Sequence, residues 1–263
     1  MSAMPAPRII GLLGALALAC AHPALAEDGA APSCGLETLG IFAAGPATDG
    51  RTFRLKDGRE VRLAGIEVPP GAAAKEALEK LLGGRLVALK RQEPSNRYGH
   101  LVAHIFALQD GSEAWIEHEM IAAGLARAGT RIGAPACAAA LLGAERKARE
   151  AKLGLWADPY YAVKPADDAA ALLDQRGQFT VVEGKVLSVR ESGGTIYINF
   201  GRVWSRNLTV TILKRNERLF AAAGTDPKKL EGRRLRVRGW VEERGGPRIE
   251  AARPEQIEIA DQD

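Results

Sequence analysis

The feature that most constrains the fold is a series of short segments in which apolar and polar residues alternate. Thr52–Leu55 and Glu60–Ile66 alternate around the turn Lys56-Asp57-Gly58-Arg59, which is typical of a β-hairpin. Leu86–Leu89 and Leu101–Leu108 are also predicted as strands. Because alternate side chains of such strands share one face, we expect the first half of the chain to form a small barrel or sheet around one core.

Three helical segments accompany these strands, and each is followed by a glycine. They are Ala72–Leu82, Ser112–Ala123 and Ala136–Lys152. Strands and helices in this order predict the α+β class, with a β-rich barrel and helices packed against it.

The second half of the chain is nearly all strand. Its five alternating segments are Phe179–Val189, Ile196–Phe200, Leu208–Leu213, Leu235–Val241 and Gln256–Ile259. One short helix, Glu217–Ala223, lies between the third and fourth segments. Five strands with a helix after the third is the order of an OB-fold. We therefore expect a second, all-β OB-like barrel, and a β-sandwich fragment remains the alternative.

The N-terminus has the pattern of a secretory signal peptide. A basic residue precedes the apolar stretch Ile9–Cys20, and Ala24-Leu25-Ala26 is a typical cleavage site. We expect residues 1–26 to be removed and the mature chain to be periplasmic or secreted, without a transmembrane segment. Lipid attachment at Cys20 is the alternative, although Ala17-Leu18-Ala19 fits a lipoprotein signal poorly.

Charge divides the mature chain into two parts. Residues 158–177 contain two prolines, an acidic pair and a run of alanines, and we expect them to link domains at 27–157 and 178–263. Residues 27–168 carry 18 Lys and Arg against 19 Asp and Glu, whereas residues 169–255 carry 17 against 10. The basic half could attract an anionic partner but does not require one.

Two cysteines, Cys34 and Cys137, remain after signal removal. An even pair in an oxidising compartment predicts a disulfide. This bridge would close a loop of about a hundred residues, which corresponds to about 4 kcal/mol in the chain-entropy model. A catalytic thiol is the weaker interpretation because neither cysteine has a histidine nearby in sequence. The pair also lacks the ligand spacing of a zinc site.

Five motifs follow one another in the first half. They are Thr48-Asp49-Gly50-Arg51-Thr52, Arg62-Leu63-Ala64-Gly65-Ile66-Glu67-Val68-Pro69, Asn96-Arg97-Tyr98-Gly99-His100, Ala123-Gly124-Leu125-Ala126 and Leu153-Gly154-Leu155-Trp156. In this order and spacing they resemble the thermonuclease (staphylococcal-nuclease-like) family over about residues 40–158. The resemblance implies an OB-fold barrel that cleaves nucleic-acid phosphodiesters, in DNA or RNA, with bound calcium.

The chain departs from the family pattern at the implied metal site. The family's first loop reads Asp-Gly-Asp-Thr and its second Asp binds the metal, but Arg51 stands at that position here. Asp49 is retained, and Glu67 corresponds to the second metal-binding Asp. A guanidinium about 4 Å from a divalent ion costs several kcal/mol, so we expect no cofactor. If the family's calcium site survives, Asp49 and Glu67 would hold the ion.

The implied catalytic positions differ as well. Pro70 stands where the family has its catalytic Glu, and His100 stands where the family has a second phosphate-contacting Arg. Arg62 matches the first phosphate-contacting Arg directly. One hypothesis is that Arg51 takes the place of the metal and pairs with Glu67. Arg51, Arg62 and His100 would then form a metal-independent phosphate-binding pocket. The other hypothesis is an inactive site with Arg51 on the solvated surface.

Two classes of function therefore stay open. As an enzyme, the protein would be an altered phosphodiesterase with Arg62, Glu67 and His100 as catalytic residues. As a binding module, it would be a pseudo-nuclease for nucleic acid, another phosphate ligand or an envelope protein. A two-histidine metal site of His100 and His104, with Glu67 as third ligand, is a further alternative because both histidines lie on one face of a predicted strand.

The second domain offers basic and aromatic residues. In Arg234-Leu235-Arg236-Val237-Arg238 the arginines alternate with apolar residues, which predicts that they lie on the solvent face of a half-buried strand. The candidates for base stacking are Tyr197, Phe200, Trp204 and Trp240. The domain is expected to bind nucleic acid, or to dock onto the first domain or an envelope protein.

Overall fold

The computed structural model describes Met1, residues 34–91 and residues 101–260. The segments 2–33 and 92–100, which include the predicted signal cleavage site and His100, lie outside the described residues. The described chain forms two strand-rich regions that follow one another in sequence.

The first region is a closed barrel of five strands. The strands of the region are β1 (Glu37–Ala47), β2 (Thr52–Leu55), β3 (Glu60–Leu63), β4 (Ile66–Glu67), β5 (Leu86–Arg91), β6 (Leu101–Gln109), β7 (Ser112–Trp115) and β8 (Arg127–Ala128). The barrel consists of β1, β2, β3, β5 and β6. β1 pairs with β2 and β5, β2 pairs with β3, and β6 pairs with β5. A parallel pairing of β3 with β6 closes the ring. This confirms the predicted OB-type barrel.

Three helices cover this barrel. They are α1 (Ala72–Leu82), α2 (Ile116–Ala122) and α3 (Pro135–Glu150). The alternate residues Phe53 and Leu55 of β2 are buried, as are Leu78 and Leu82 of α1. The buried side of the hairpin and the apolar side of α1 thus form one core, which is the arrangement that their spacing predicts.

Two elements of the first barrel differ from the sequence prediction. β1 escaped prediction because Gly40 and Pro46 interrupt its pattern, and its pairing with β5 shifts register between Thr38 and Gly40. The segment predicted as a helix from Ser112 starts as strand β7 instead, because it pairs with β6, and the helix begins at Ile116.

The second region is also built mainly of paired strands. Its strands are β9 (Lys164–Pro165), β10 (Phe179–Lys185), β11 (Ser188–Ser192), β12 (Thr195–Asn199), β13 (Thr209–Leu213), β14 (Arg234–Glu243), β15 (Pro247–Glu250) and β16 (Ile257–Ile259). β11, β12 and β13 pair antiparallel in sequence order, β13 pairs parallel with β15, and β14 pairs antiparallel with β15 and β10. The region is mainly β and consistent with an OB-fold.

Two helices belong to the second region, α4 (Ala169–Leu173) and α5 (Glu217–Ala222). The segment 158–177, which the sequence suggests as a linker, contains β9 and α4. Ala166 and Leu172 in it are buried in the core of the second region. The strand β15 was not predicted from the sequence, and the predicted last strand is the short β16 at the edge of β14.

Arg238 of β14 is fully buried between the two regions. Its guanidinium donates hydrogen bonds to Glu145 of α3, to Glu258 of β16 and to the carbonyl oxygen of Ala128, the last at 3.2 Å. Burial alone would lower the pKa of Arg238, but the two carboxylates raise it above its ordinary value. Arg238 therefore stays charged and joins the first region to the second.

The prediction that the β14 arginines face solvent is wrong for two of them. Arg236 is 7% exposed and Arg238 is 0% exposed. Arg236 donates to Glu183 of the neighbouring strand at 2.8 Å. The alternating pattern identified the outer face of β14 correctly, but for Arg238 that face is covered by α3 of the first region instead of water.

Further contacts join the regions around this ion pair. The guanidinium carbon of Arg127 lies 5.4 Å from the ring centroid of Tyr161 and 5.1 Å from that of Phe179. The backbone N–H of Ile132 donates to Glu255 at 3.2 Å. The interface therefore combines charged, aromatic and backbone contacts.

The structure does not contain the predicted disulfide between Cys34 and Cys137. Both are buried free thiols, and their side chains are hydrogen-bonded to each other. Burial raises the pKa of both thiols. The pairing of residues was anticipated from the sequence, but the contact is a hydrogen bond between thiols.

We expect Arg238→Ala to lower the free energy of unfolding by about 3–5 kcal/mol, because it leaves Glu145 buried without its cation. Urea denaturation followed by circular dichroism measures this loss. The matched control is Arg234→Ala on the same strand. The Arg234 side chain is 57% exposed, so its pair with Glu183 should contribute at most about 1 kcal/mol. Equal losses for the two variants would contradict the assigned role of Arg238.

Candidate functional site

A pocket of about 390 Å³ opens on the first barrel where β2, β3 and β6 lie side by side. The loop between β3 and β4 and the segment after β8 form its other walls. The lining residues that carry charge are Arg51, Glu60, Arg62, Glu67 and Arg131. Three cations therefore face two carboxylates.

The loop between β1 and β2 holds Arg51 at this pocket. The Asp49 carboxylate accepts a hydrogen bond from the backbone N–H of Arg51 at 2.7 Å. The Arg51 carbonyl in turn accepts from the N–H of Leu63 at 2.9 Å. Gly50 is packed so closely that an added Cβ would lie 2.7 Å from Val68 and 2.8 Å from Ala74. The loop is thereby fixed against β3 and α1.

Arg51 forms an ion pair with Glu67. Its Nη1 lies 2.6 Å from Oε2 of Glu67, and the two side chains are 23% and 20% exposed. Burial raises the pKa of Glu67, and the charge and hydrogen bond of Arg51 partly offset that rise. The pair that the exchange of acid for arginine suggests is therefore present, and Arg51 is held by a carboxylate at the edge of the pocket.

Arg62 lies on β3 in the middle of the pocket wall. Its neighbours in the sheet are Thr52 on β2 and Val102 on β6, and all three line the pocket. Arg62 is exposed, and neither Arg62 nor Arg131 forms an ion pair with a residue in the described part of the chain. Two guanidinium groups are therefore available to an anion.

The residues of this pocket do not fit calcium. Calcium prefers six to eight oxygen ligands, several of them from carboxylates. Here the Glu67 carboxylate already accepts from Arg51, and Asp49 accepts from the backbone of its own loop. Within residues 34–91 and 101–260, no three His, Cys, Asp or Glu side chains are grouped so that they could hold a metal ion.

The other candidate residues of the sequence lie apart. Pro70 is exposed just before α1 and brings no carboxyl group, and His100 lies outside the described residues. His104 on β6 is 3% exposed, and its Nε2 lies 2.8 Å from the carbonyl oxygen of Ile132. His104 is therefore a buried residue of the core whose ring contacts the carbonyl oxygen of Ile132.

Glu117 on α2 is a buried carboxyl that the sequence analysis did not single out. It is 0% exposed and accepts from the backbone N–H of Ile105 at 3.1 and 3.2 Å. The Nδ1 of His104 lies 3.9 Å away. Burial raises the pKa of Glu117 to about 8, so the group is largely neutral at pH 7. It supports the core beneath the site and does not line the pocket.

Thr130 and Arg131 are pocket residues that the sequence analysis also missed. They follow β8, which pairs with β4 so that Arg127 stands opposite Glu67. The signal in the sequence was the motif Ala123-Gly124-Leu125-Ala126, which ends directly before β8. The pairing of β4 with β8 brings the segment to the pocket.

Residues 59–158 match the model of the family described as Staphylococcal nuclease homologue. This part of the chain is a staphylococcal nuclease-like domain, which confirms the resemblance noted from the motifs. The matched residues include Arg62 and Glu67 and end before the second region. None of the curated proteins matches the chain.

We expect Glu117→Gln to flatten the dependence of stability on pH. The folded-state pKa of Glu117 lies above its unfolded value, so its contribution is full below about pH 4.5 and is lost as the pH rises through about 8. The amide has no charge to bury. The free energy of unfolding of the variant should therefore rise relative to that of the parent between pH 5 and 9, by on the order of a few kcal/mol at the upper end of this range.

Denaturation by urea at a series of pH values measures this difference. The matched control is Glu119→Gln, an exposed residue of the same helix, which should leave the pH profile of the parent unchanged. A parent profile without a fall in stability between about pH 4.5 and pH 8 would contradict the buried neutral state of Glu117.

Proposed function

We propose that the first barrel binds the phosphodiester backbone of a nucleic acid without calcium. Arg51, Arg62 and His100 are the phosphate-binding residues of this proposal. The observation that carries it is the distance of 2.6 Å between Arg51 and Glu67, because a cation of the chain itself pairs with a carboxylate that would otherwise bind the metal.

The charge of the pocket supports this proposal. Arg62 and Arg131 are exposed and both line the pocket, and guanidinium is the group that binds phosphate with two parallel hydrogen bonds. Contacts to phosphate hold a strand in place without reading its bases. We therefore propose binding with little sequence preference and with affinity that falls as the salt concentration rises.

In this proposal the calcium-dependent cleavage of the family is absent. Pro70 provides no general base, and the guanidinium of Arg51 repels a divalent cation. A pseudo-nuclease that holds DNA or RNA is the function that this combination favours.

The second candidate function is metal-independent phosphodiester cleavage. Glu67 lies in the same pocket as Arg62, and its raised pKa makes it a stronger base than an exposed carboxylate. In this scheme Glu67 accepts the proton of the attacking water, Arg62 stabilises charge on the phosphoryl oxygens and His100 protonates the leaving group. Cleavage in the presence of chelator would favour this second candidate.

We expect Arg62→Ala to weaken binding of a labelled single-stranded oligonucleotide about tenfold or more, because a hydrogen bond to a charged group contributes about 1.5–3 kcal/mol. Fluorescence anisotropy at fixed salt measures the dissociation constant. The control Lys56→Ala removes an exposed cation of the same barrel that does not line the pocket and should change affinity little. If both variants weaken binding equally, non-specific electrostatic attraction explains the binding, and the assignment of this pocket as the binding site is wrong.

We expect the parent protein to show no micromolar calcium binding in titration calorimetry, and Arg51→Asp to gain it, because the variant replaces a cation with a third carboxylate beside Asp49 and Glu67. Arg51→Ala is the matched control, since it removes the cation without adding an oxygen ligand. Micromolar calcium binding by the parent that is lost in Glu67→Gln would contradict the proposal.

We also propose that the chain is exported and acts in the periplasm or outside the cell. The signal-peptide pattern of residues 1–26 supports this location. Within the described ranges, no helix is both long enough and apolar enough to cross a membrane.

Mass spectrometry of protein from fractionated cells tests this location. Export predicts a mature chain that begins at Glu27, and full-length protein in the cytoplasm would contradict it. An envelope protein bound through the second region is the alternative partner, and it would be recovered by cross-linking from the same fraction.

A further inference from the structure

A second pocket, of about 360 Å³, lies on the barrel of the second region. Strands β11, β12, β13 and β15 contribute to it, together with the loop after β12 and the turn between β14 and β15. Its charged lining residues are Arg190, Arg244 and Arg248, and its aromatic lining residues are Tyr197 and Trp204. None of these residues belongs to the part of the chain that matches the nuclease family.

This pocket occupies the same place in its barrel as the first pocket does. In the first barrel, the row Thr52, Arg62 and Val102 runs across β2, β3 and the parallel partner β6. In the second barrel, the row Asn199, Thr209 and Arg248 runs across β12, β13 and the parallel partner β15. All members of each row line the respective pocket. Each row carries one arginine over the parallel pair of strands.

The charge of the second pocket is positive. Arg190 is exposed and forms no ion pair within the described part of the chain. Arg248 and Arg244 share one carboxylate, that of Glu242, at 2.6 Å and 3.7 Å. The buried Nε of Arg248 has no hydrogen-bond partner among the described residues. Only one carboxylate, that of Glu242, thus pairs with the three guanidinium groups, and it contacts two of them, which favours an anionic ligand.

Trp204 supplies an aromatic surface beside these charges. It is 66% exposed, the largest exposed fraction of any described tryptophan. Its ring lies against Gly245, where an added Cβ would be 2.7 Å from Cζ3 of the indole. At Gly246, an added Cβ would lie 2.0 Å from the carbonyl oxygen of Trp204. The indole is therefore held on one side, while much of its surface remains accessible to a flat ligand.

We propose that this second pocket binds a single-stranded nucleic acid. One base stacks on Trp204, and Arg190 and Arg244 pair with the phosphates on either side. An unpaired strand is required because a duplex hides the faces of its bases, whereas a basic groove with an aromatic platform is the common solution for single strands. The site is independent of the first pocket and does not require that the protein cleave its ligand.

The experiment uses the full chain and a fluorescein-labelled oligothymidylate of about 12 nucleotides, a length within the usual range for one barrel. Anisotropy titrations compare the parent with Trp204→Ala and Arg190→Ala, each also in the Arg62→Ala background. We expect Trp204→Ala to weaken binding about tenfold in the Arg62→Ala background, where the first pocket no longer binds the probe. Trp204→Phe should keep most of the affinity there because it retains a stacking ring. A duplex of the same length should bind more weakly and respond little to Trp204→Ala.

Two variants serve as controls. Trp240→Ala removes another exposed tryptophan of the same barrel, 48% exposed, that does not line this pocket. Arg218→Ala removes an exposed cation on α5. Both should bind as the parent does, and circular dichroism verifies folding of every variant.

The outcomes separate the two pockets. If Trp204→Ala loses affinity for the oligonucleotide and Arg62→Ala does not, the result supports the second pocket and contradicts the first. Parent-like binding by Trp204→Ala and Arg190→Ala, together with loss in Arg62→Ala, overturns the second pocket alone. If Trp240→Ala loses as much affinity as Trp204→Ala, the assignment of a base-stacking site is wrong. It is also wrong if Trp204→Ala weakens the binding of heparin, which has no bases, as much as the binding of the oligonucleotide.

Discussion

The arrangement of the two barrels depends on one guanidinium that water does not reach. Arg238 extends from β14 of the second region to Glu145 on α3 of the first, and Glu258 completes the group. Moving a charge out of water costs several kcal/mol, so such a group is stable only when the opposite charges and hydrogen bonds are all present. The two regions therefore stabilise each other, and the excess positive charge of the second half partly serves contact within the chain.

Each pocket lies over a parallel pair of strands. In the first barrel the pair of β3 and β6 closes a ring of antiparallel pairings, and in the second region the pair is β13 and β15. The backbone supplies the position and the side chains supply the chemistry. The first barrel places its arginine on β3, as Arg62, whereas the second places it on the other strand of the parallel pair, as Arg248.

Local pattern predicted much of this fold, and non-local contacts account for what it missed. Alternation predicted the hairpin of β2 and β3, and the helical spacing before Gly83 predicted α1. Alternation also placed Arg238 on the outer face of its strand, but a local pattern does not distinguish water from a second domain. The exchange of an acid for Arg51 suggested its pair with Glu67, whereas Arg131 joins the pocket through strand pairing that sequence spacing does not encode.

The ion pair of Arg51 and Glu67 also changes how the pocket depends on its surroundings. A calcium ion exchanges with solvent. The fraction of a calcium site that is empty therefore depends on the concentration of free calcium. A guanidinium is part of the chain and stays protonated at any physiological pH. In the proposed calcium-free function, the positive charge of this pocket therefore comes from the folded chain itself, and a chelator leaves it unchanged.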